Sequence, residues 1–179
     1  AEDRPQKIRR ILYNFDGDSC MSTRAGSKGP ASVTVDDVRQ LIREVTEEGS
    51  HVDSVLVCIN AQVMYYPTRV GTMRGTLSTD EERQKWPASE TQRFSNLKAM
   101  FDAGTDPYAV MIEESRRRGI EALLTFRVND DHGNDFLNTQ FRIDHPEWRL
   151  GKGALNFDHD EVRDYVYRLI EEAVLRYDS

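Results

Sequence analysis

The chain has 179 residues, of which 38% are hydrophobic and 31% are charged, and this balance is typical of one soluble globular domain. Its formal net charge of -7 argues against nucleic acid or an anionic membrane surface as the main partner. No apolar stretch approaches the ~20 residues that a membrane span needs. The first residue is Ala1 and not Met, so a secreted or periplasmic location stays open.

The sequence predicts strands and helices in alternation. In chain order they are strand 8–15, helix 35–48, strand 54–59, helix 96–102, helix 107–118, strand 120–128 and a last helix that begins near residue 160. In the first and last helices, apolar residues recur at spacings of three and four, which gives each helix an apolar face. Two helix starts are well marked. Thr34 and Asp37 have capping-box spacing, and Asp106 precedes a proline at the first helical position.

This alternation predicts a parallel sheet with right-handed crossovers. The loops after the strands are longer than those before them, as in a barrel whose functional face is built from the loops after the strands. A complete barrel has about eight such units in ~250 residues, whereas this chain carries fewer. The predicted fold class is α/β, with parallel (β/α) units that form the N-terminal three units of a TIM-type barrel. Residues 1–179 are expected to be a single partial domain that continues beyond the C-terminus, because three units alone leave two sheet edges and the inner face uncovered.

Polar residues collect where the predicted strands end, which is where α/β proteins place their chemistry. The third strand shows this most clearly, because an apolar run opens directly into an Arg, an Asn, two carboxylates and an imidazole. Amide groups both donate and accept hydrogen bonds, which suits a ligand rich in hydroxyl groups, although a single Asn is more often a turn former. The residues at the three strand ends are Asn14, Asp16, Asn60, Arg127, Asn129, Asp130, Asp131 and His132.

One helix and two loop motifs carry a resemblance to a known group of proteins. The helix segment ALNFDHDEVRDYV begins at Ala154, and the loop motifs are RVNDDH from Arg127 and HPEWRLG from His145. Together they resemble glycoside-hydrolase-like (β/α)8 barrel proteins, in a bacterial branch of that group, and the resemblance covers most of the chain. A stretch like this helix precedes the fourth strand in that group. The resemblance therefore implies that the chain is the N-terminal part of such a barrel.

The resemblance also implies hydrolysis of glycosidic bonds in a carbohydrate. That reaction usually requires two carboxyl groups, ~5–5.5 Å apart for retention and ~6.5–9.5 Å apart for inversion. Proteins of this group usually carry acidic residues on the fourth and later strands, so the main catalytic carboxylates are expected outside this segment, and the segment alone is expected to be inactive. Asp130, Asp131 and His132 are the catalytic candidates within it. The two Asp residues are adjacent and would point to opposite sides of an extended chain, so they make a poor pair by themselves.

The residues predicted to contact the substrate lie mainly at the three strand ends. They are Asn14, Asp16, Asn60, Arg127, Asn129, Asp130, His132 and Trp148. For Arg127 the alternative is a structural ion pair, with Asp16 as one partner, because a buried guanidinium needs a partner. Tyr65, Tyr66 and Trp86 also offer flat aromatic faces for stacking on sugar rings, with loop packing as the alternative.

Two other functions stay open from the sequence. A non-catalytic carbohydrate-binding barrel would use the same contacts without turnover. A metal-dependent hydrolase would use Asp130, Asp131 and His132, although no HxH, HExxH or CxxC spacing supports a metal site. The leading prediction therefore includes no metal and no cofactor, a carbohydrate as substrate, and neither nucleic acid nor membrane as partner. The rest of the barrel, or a partner chain, is expected to complete the fold.

Overall fold

The computed structural model describes residues 9–151 and 153–177. They form a three-stranded parallel sheet, a two-stranded antiparallel ribbon and six α-helices. The sheet strands are β1 (Leu12–Phe15), β2 (Ser54–Cys58) and β3 (Glu121–Thr125), and the ribbon strands are β4 (Arg149–Leu150) and β5 (Ala154–Leu155). The helices are α1 (Val35–Val45), α2 (Asp80–Arg83), α3 (Ala88–Asp102), α4 (Pro107–Arg117), α5 (Gln140–Asp144) and α6 (Asp160–Tyr177).

The three sheet strands lie in the order β1-β2-β3, with β2 in the centre. The register aligns Val55 of β2 with Tyr13 of β1 and with Ala122 of β3. Both crossovers contain helices, with α1 between β1 and β2, and α2, α3 and α4 between β2 and β3. The carboxyl ends of all three strands therefore meet at one edge of the sheet, which we call the carboxyl edge.

One face of the sheet is covered by helices and forms the main core. Side chains alternate along a strand, so every second residue of β2 points to these helices. The helix α4 packs on β2, on β3 and on α1. Buried residues of α1 belong to the same core cluster as those of β2. The fully buried side chains of this core include Val38, Ile42, Val55, Val57, Ile59 and Met111.

The opposite face of the sheet is partly open within the described residues. Asn14, Leu56 and Leu123 share one register row on this face. Leu123 is 39% exposed, and Leu12, two residues before Asn14, is 52% exposed. Apolar side chains on an open inner face agree with three units of a barrel, and the complete barrel stays a prediction.

The predicted alternation and the parallel sheet are confirmed within the described residues, with shifted boundaries. The strand predicted from residue 8 begins at Leu12, and residue 8 itself lies outside the described residues. The helix predicted from residue 96 begins earlier, at Ala88. The prediction missed its first turns because residues 88–95 are mostly polar and show little apolar periodicity. The helices α2 and α5 and the β4–β5 ribbon are not predicted, since each is too short for a periodic pattern. Among the described helices, none is long and apolar enough to cross a membrane.

Candidate functional site

Residues from the ends of β1 and β3 form a network around the Arg127 guanidinium. Its Nη2 is ion-paired with Asp16, and its Nη1 lies 3.1 Å from Oδ2 of Asp130. The same Oδ2 lies 2.8 Å from Nε2 of His132. The Arg127 side chain is 33% exposed and that of His132 is 43% exposed, so both are accessible to a ligand. Four of the predicted site residues therefore come together at the carboxyl edge.

Two of the predicted Asn residues hold the backbone of this network. Asn60 Oδ1 accepts a hydrogen bond from the Arg127 backbone N–H at 2.8 Å, and its Nδ2 donates to the Arg127 carbonyl oxygen at 2.9 Å. Asn129 binds the backbone of Leu155 in the same way, at 2.7 and 3.1 Å. Because these bonds engage both side-chain amides, Asn60 and Asn129 position the loop, and a ligand contact by either stays a prediction.

Hydrogen bonds to two other parts of the chain hold the loop after β3. Arg142, which is 3% exposed, donates from Nη2 to the Asp130 carbonyl oxygen at 2.9 Å. Burial lowers the pKa of this guanidinium, while the nearby Asp131 and Asp130 carboxylates act in the opposite direction. The His132 backbone N–H donates to Oε1 of Gln62, in the loop after β2, at 2.8 Å. The loop is therefore fixed before any ligand arrives.

A second charged cluster lies beside the first and surrounds Arg74. This side chain is only 3% exposed, its Nη1 lies 2.7 Å from Oδ2 of Asp18, and its Nη2 is ion-paired with Glu90. Glu90 also lies 2.9 Å from Nη1 of Arg93. Burial raises the pKa of the Asp18 carboxyl, and the positive charge of Arg74 opposes that rise. The cluster is thus a chain of alternating charges that is largely shielded from solvent.

Backbone pairing in the long connection after β2 brings Arg74 to this position. The Met64 N–H donates to the Thr72 carbonyl oxygen at 2.9 Å, and the Arg74 N–H donates to the Met64 carbonyl oxygen at 2.8 Å. On the other side, Asn96 of α3 donates to the carbonyl oxygens of Met21 at 2.7 Å and Ala31 at 2.8 Å. The two bonds from Asn96 tie the loop after β1 to α3. Hydrogen bonds therefore hold the chain segments on both sides of the cluster.

Gly17 joins the two clusters through a tight turn between Asp16 and Asp18. Its φ is +60°, and a Cβ atom there would lie 2.0 Å from the Cys58 carbonyl oxygen. The glycine therefore places Asp16 beside Arg127 and Asp18 beside Arg74, in two neighbouring environments.

The two clusters line one cavity of about 170 Å³ at the carboxyl edge, which we call the charged cavity. The sequence does not predict a place in the site for Arg74, Glu90 and Arg93. These residues lie in a polar connection, far along the chain from the end of any strand, and they become buried only on folding. The lining residues are Asp16, Asp18, Ser19, Ala61, Tyr65, Arg74, Glu90, Arg93, Arg127, His132, Asn134, Phe136 and Leu137.

Asn14 and Asp131 do not line the charged cavity. Asn14 is exposed within β1 on the open face of the sheet. Asp131 accepts a hydrogen bond from the Gly133 N–H at 3.1 Å, as a turn-forming Asp does. Within residues 9–151 and 153–177, no three His, Cys, Asp or Glu side chains are placed to hold a metal ion. The metal-dependent alternative, which needs Asp130, Asp131 and His132 together, therefore has no ligand set in this part of the chain.

Trp148 lies in a separate aromatic cluster. Its ring stacks on His145 with a centroid distance of 3.8 Å and packs against Phe141 at 5.5 Å. It lines a different cavity, of about 610 Å³, along the start of α6. Tyr65 and Tyr66 are 2% and 0% exposed, so both rings pack inside the protein, which is the alternative considered for them. Tyr65 nevertheless forms part of the wall of the charged cavity, whereas Trp86 lines a neighbouring cavity that is described below.

Comparison with known proteins gives one similar stretch. No protein family model matches the chain. The chain is 34% identical over 85 residues to the glycosyl hydrolase YngK of Bacillus subtilis (strain 168), a match that covers 43% of this chain. The matched stretch spans only 17% of the length of YngK. The similarity therefore supports a glycoside-hydrolase-like protein at the coarsest level, which agrees with the resemblance of the sequence motifs.

Proposed function

We propose that this chain is part of a glycoside-hydrolase-like (β/α) barrel and that its charged cavity binds a carbohydrate. The observation that carries the proposal is the meeting of Asp16, Arg127 and His132 with the buried Arg74–Asp18 pair at the carboxyl edge. Ligands of α/β proteins bind at this edge of the sheet. The similarity to a protein named as a glycosyl hydrolase supports a sugar as the ligand.

The chemistry of the cavity suits hydroxyl groups. A carboxylate accepts hydrogen bonds, a guanidinium donates them, and an imidazole does either, whereas each sugar hydroxyl both donates and accepts. The side chains are already fixed by ion pairs, such as Arg74 with Asp18 at 2.7 Å. A ligand that enters such a site meets groups that need little further ordering, which favours binding.

In this proposal the residues of the charged cavity bind the sugar, and the catalytic carboxyl groups lie on strands outside this segment. Glycoside hydrolysis needs two carboxyl groups that flank the scissile bond. Asp16, Asp18 and Glu90 line the cavity, and each is already paired with an Arg. The described lining therefore offers no free pair of carboxyl groups, so we assign it to substrate binding.

The same pairing favours a second candidate, a non-catalytic carbohydrate-binding barrel. In such a protein the cavity would bind sugar as described, and the strands outside this segment would lack the paired acids. The two candidates share every contact within the described residues. They differ only in whether bound sugar is cleaved.

The test is to assay the natural gene product for binding and for hydrolysis with cellulose, xylan, starch and chitin and their soluble oligomers. We expect binding of at least one of these by calorimetry, together with release of reducing ends. The variant Arg127→Met removes the centre of the exposed network and should weaken binding by about tenfold or more, since each 1.4 kcal/mol is a factor of ten.

Arg39→Met is the matched control for Arg127→Met. Arg39 has similar side-chain exposure, 31% against 33%, and also pairs with one Asp at 3.1 Å, but it lies on α1. It should bind like the wild type. Binding without reducing-end release would favour the non-catalytic barrel, and an absence of binding to every polymer and oligomer would contradict both candidates.

A further inference from the structure

A second cavity adjoins the charged cavity and shares a wall with it. This second cavity has a volume of about 430 Å³, and we call it the aromatic cavity. Asn134 and Phe136, from the loop after β3, line both cavities. The two cavities are therefore neighbours along that loop, and we refer to the pair as the cleft.

The chemistry of the aromatic cavity differs from that of its neighbour. Trp86, Pro87 and Phe136 line it, and the Trp86 and Phe136 rings pack against each other with their centroids 5.4 Å apart. Its polar lining includes Lys85 and Glu82. Flat apolar rings beside a few polar groups are suited to the face of a sugar ring, which carries C–H groups flanked by hydroxyls.

Trp86 is held on a fixed support rather than on a loose loop. It lies between α2, which begins with a capping box at Thr79, and α3, which begins after Pro87. The Trp86 ring also meets Phe94 edge to face at 6.3 Å. A Cβ atom on Gly75 would lie 2.6 Å from the Phe94 ring and 3.1 Å from the Trp86 ring, so only glycine lets the chain pass this close.

The size of the cleft indicates the length of the ligand. Cavities that enclose a drug-sized ligand have volumes of roughly 300–1,000 Å³. The charged cavity, at about 170 Å³, is below this range, whereas the aromatic cavity, at about 430 Å³, lies within it. A ligand that fills the charged cavity and is longer than one small ring would continue past Phe136 and over Trp86.

We propose that the cleft binds an oligosaccharide of at least two linked units, with one unit in the charged cavity and the next stacked on Trp86. This inference rests on the proposed carbohydrate function. It adds the class of ligand and the residue whose contact makes affinity depend on ligand length. Trp86 contributes affinity only to ligands long enough to reach it. Removing Trp86 should therefore abolish the gain in affinity with ligand length.

The experiment measures affinity as a function of ligand length. The probes are cello-, malto- and chito-oligosaccharides of one to six units, titrated by calorimetry into the natural gene product. The variants are Trp86→Ala, Trp86→Phe as the conservative replacement, and Trp148→Ala as the matched control in the separate aromatic cluster. Circular dichroism of each variant confirms that the fold is retained.

The wild type should bind one series with an affinity that rises about tenfold from the single unit to the oligomers, the scale of one aromatic contact. Trp86→Ala should lose that rise, Trp86→Phe should keep most of it, and Trp148→Ala should keep all of it. Affinities that are independent of length, or that respond to Trp148 and not to Trp86, would overturn the inference and leave the proposed function standing. A wild-type protein that binds no member of any series would overturn the proposed function and the inference with it.

Discussion

Arg74 places a positive charge inside the protein, where its side chain is only 3% exposed. Such a charge is tolerated because Asp18 and Glu90 both pair with it. Asp18 is also buried, with 4% exposure, so the pair has lost most of its hydration. Because a buried ion pair adds little net stability, we infer that this pair acts mainly by holding the cavity walls in one arrangement.

Replacing Arg74 by Met should lower the free energy of unfolding by about 3 kcal/mol or more, because it leaves two carboxylates without their buried partner. Urea unfolding of the variant and the wild type measures this difference. The variant Arg39→Met breaks an ion pair with Asp36, whose side chain is 84% exposed. It should lower the free energy of unfolding by no more than about 1 kcal/mol. Equal losses in the two variants would show that the buried position of Arg74 has no special role.

Glu114 links α4 to α1 and should make stability depend on pH. A hydrogen bond from Arg43 Nε, 2.9 Å from Oε1, holds the pKa of this carboxyl below its ordinary value of 4.5. A carboxyl whose pKa is lower in the folded state stabilises the fold at pH values above the ordinary pKa. This contribution is lost as the pH falls through the lowered value.

The variant Glu114→Gln should therefore unfold more easily than the wild type at pH 7, and the difference should disappear at a pH well below 4.5. Denaturant unfolding at several pH values measures the two free energies. Glu113→Gln, on the exposed side of the same helix, controls for the loss of one negative charge. The same narrowing with pH in both variants would contradict the assignment to the Arg43–Glu114 pair.

Sequence patterns predicted the exposed half of the charged cavity and missed the buried half. Asp16, Arg127 and His132 line this cavity and follow apolar runs, and a polar residue soon after a strand is visible in a sequence. Arg74 and Glu90 have no such marker, because their burial depends on how a long connection folds back over the sheet edge. The engagement of Asn60 with the Arg127 backbone is likewise a product of register between β2 and β3.

The turn after β1 is the element on which the charged cavity depends most closely. Gly17 has a φ of +60°, and its Cα lies against the Cys58 carbonyl oxygen at the end of β2. Gly17→Ala should destabilise the protein by roughly 3 kcal/mol, since the left-handed backbone costs about 1–2 kcal/mol and the backbone clash adds to it. Thermal unfolding of the variant gives the size of the loss.

Gly29→Ala is the control for this turn, because no atom lies within 4 Å of the position of its Cβ. It should change stability by less than about 1 kcal/mol. A Gly17→Ala protein as stable as the Gly29→Ala protein would mean that the strand ends are not packed as closely as described.

The capping box at the start of α1 is the clearest case of an element predicted in detail. The Thr34 hydroxyl oxygen accepts a hydrogen bond from the Asp37 N–H at 3.2 Å, and Asp37 Oδ2 accepts one from the Thr34 N–H at 2.8 Å. The Thr34 hydroxyl also donates to Asp37 Oδ2 at 2.7 Å, and this bond, followed by the one from the Thr34 N–H, lowers the pKa of the Asp37 carboxyl. The spacing of Thr and Asp in the sequence predicted this pair because both bonds are local.

Thr34→Ala should reduce the free energy of unfolding by about 1 kcal/mol, the usual cost of losing an N-cap side chain. Chemical denaturation of the variant measures it. Ser32→Ala, at an exposed residue just before the helix, should be neutral. A neutral Thr34→Ala would contradict a role for this box in holding α1 against α4.

At the scale of the whole molecule, the parallel sheet has one covered face and one partly open face. Three strands with helical crossovers are predictable from the alternation of apolar segments. The open face, with Leu123 at 39% exposure, agrees with more of a barrel on that side, but a pattern within this chain cannot supply strands that it does not contain. The barrel and its catalytic acids therefore stay predictions, whereas the position of the charged cavity at the carboxyl edge follows from the described strands.

We propose above that carbohydrate binds at the carboxyl edge of this sheet. The most direct measurement is hydrogen exchange by mass spectrometry on the natural gene product, with and without cellohexaose, maltohexaose and chitohexaose. We predict slower exchange with at least one of them in peptides that contain Asp16, Ala61 and His132, which line the charged cavity. Protection confined to peptides around Trp148 and α6, or no protection with any of the three sugars, would contradict it.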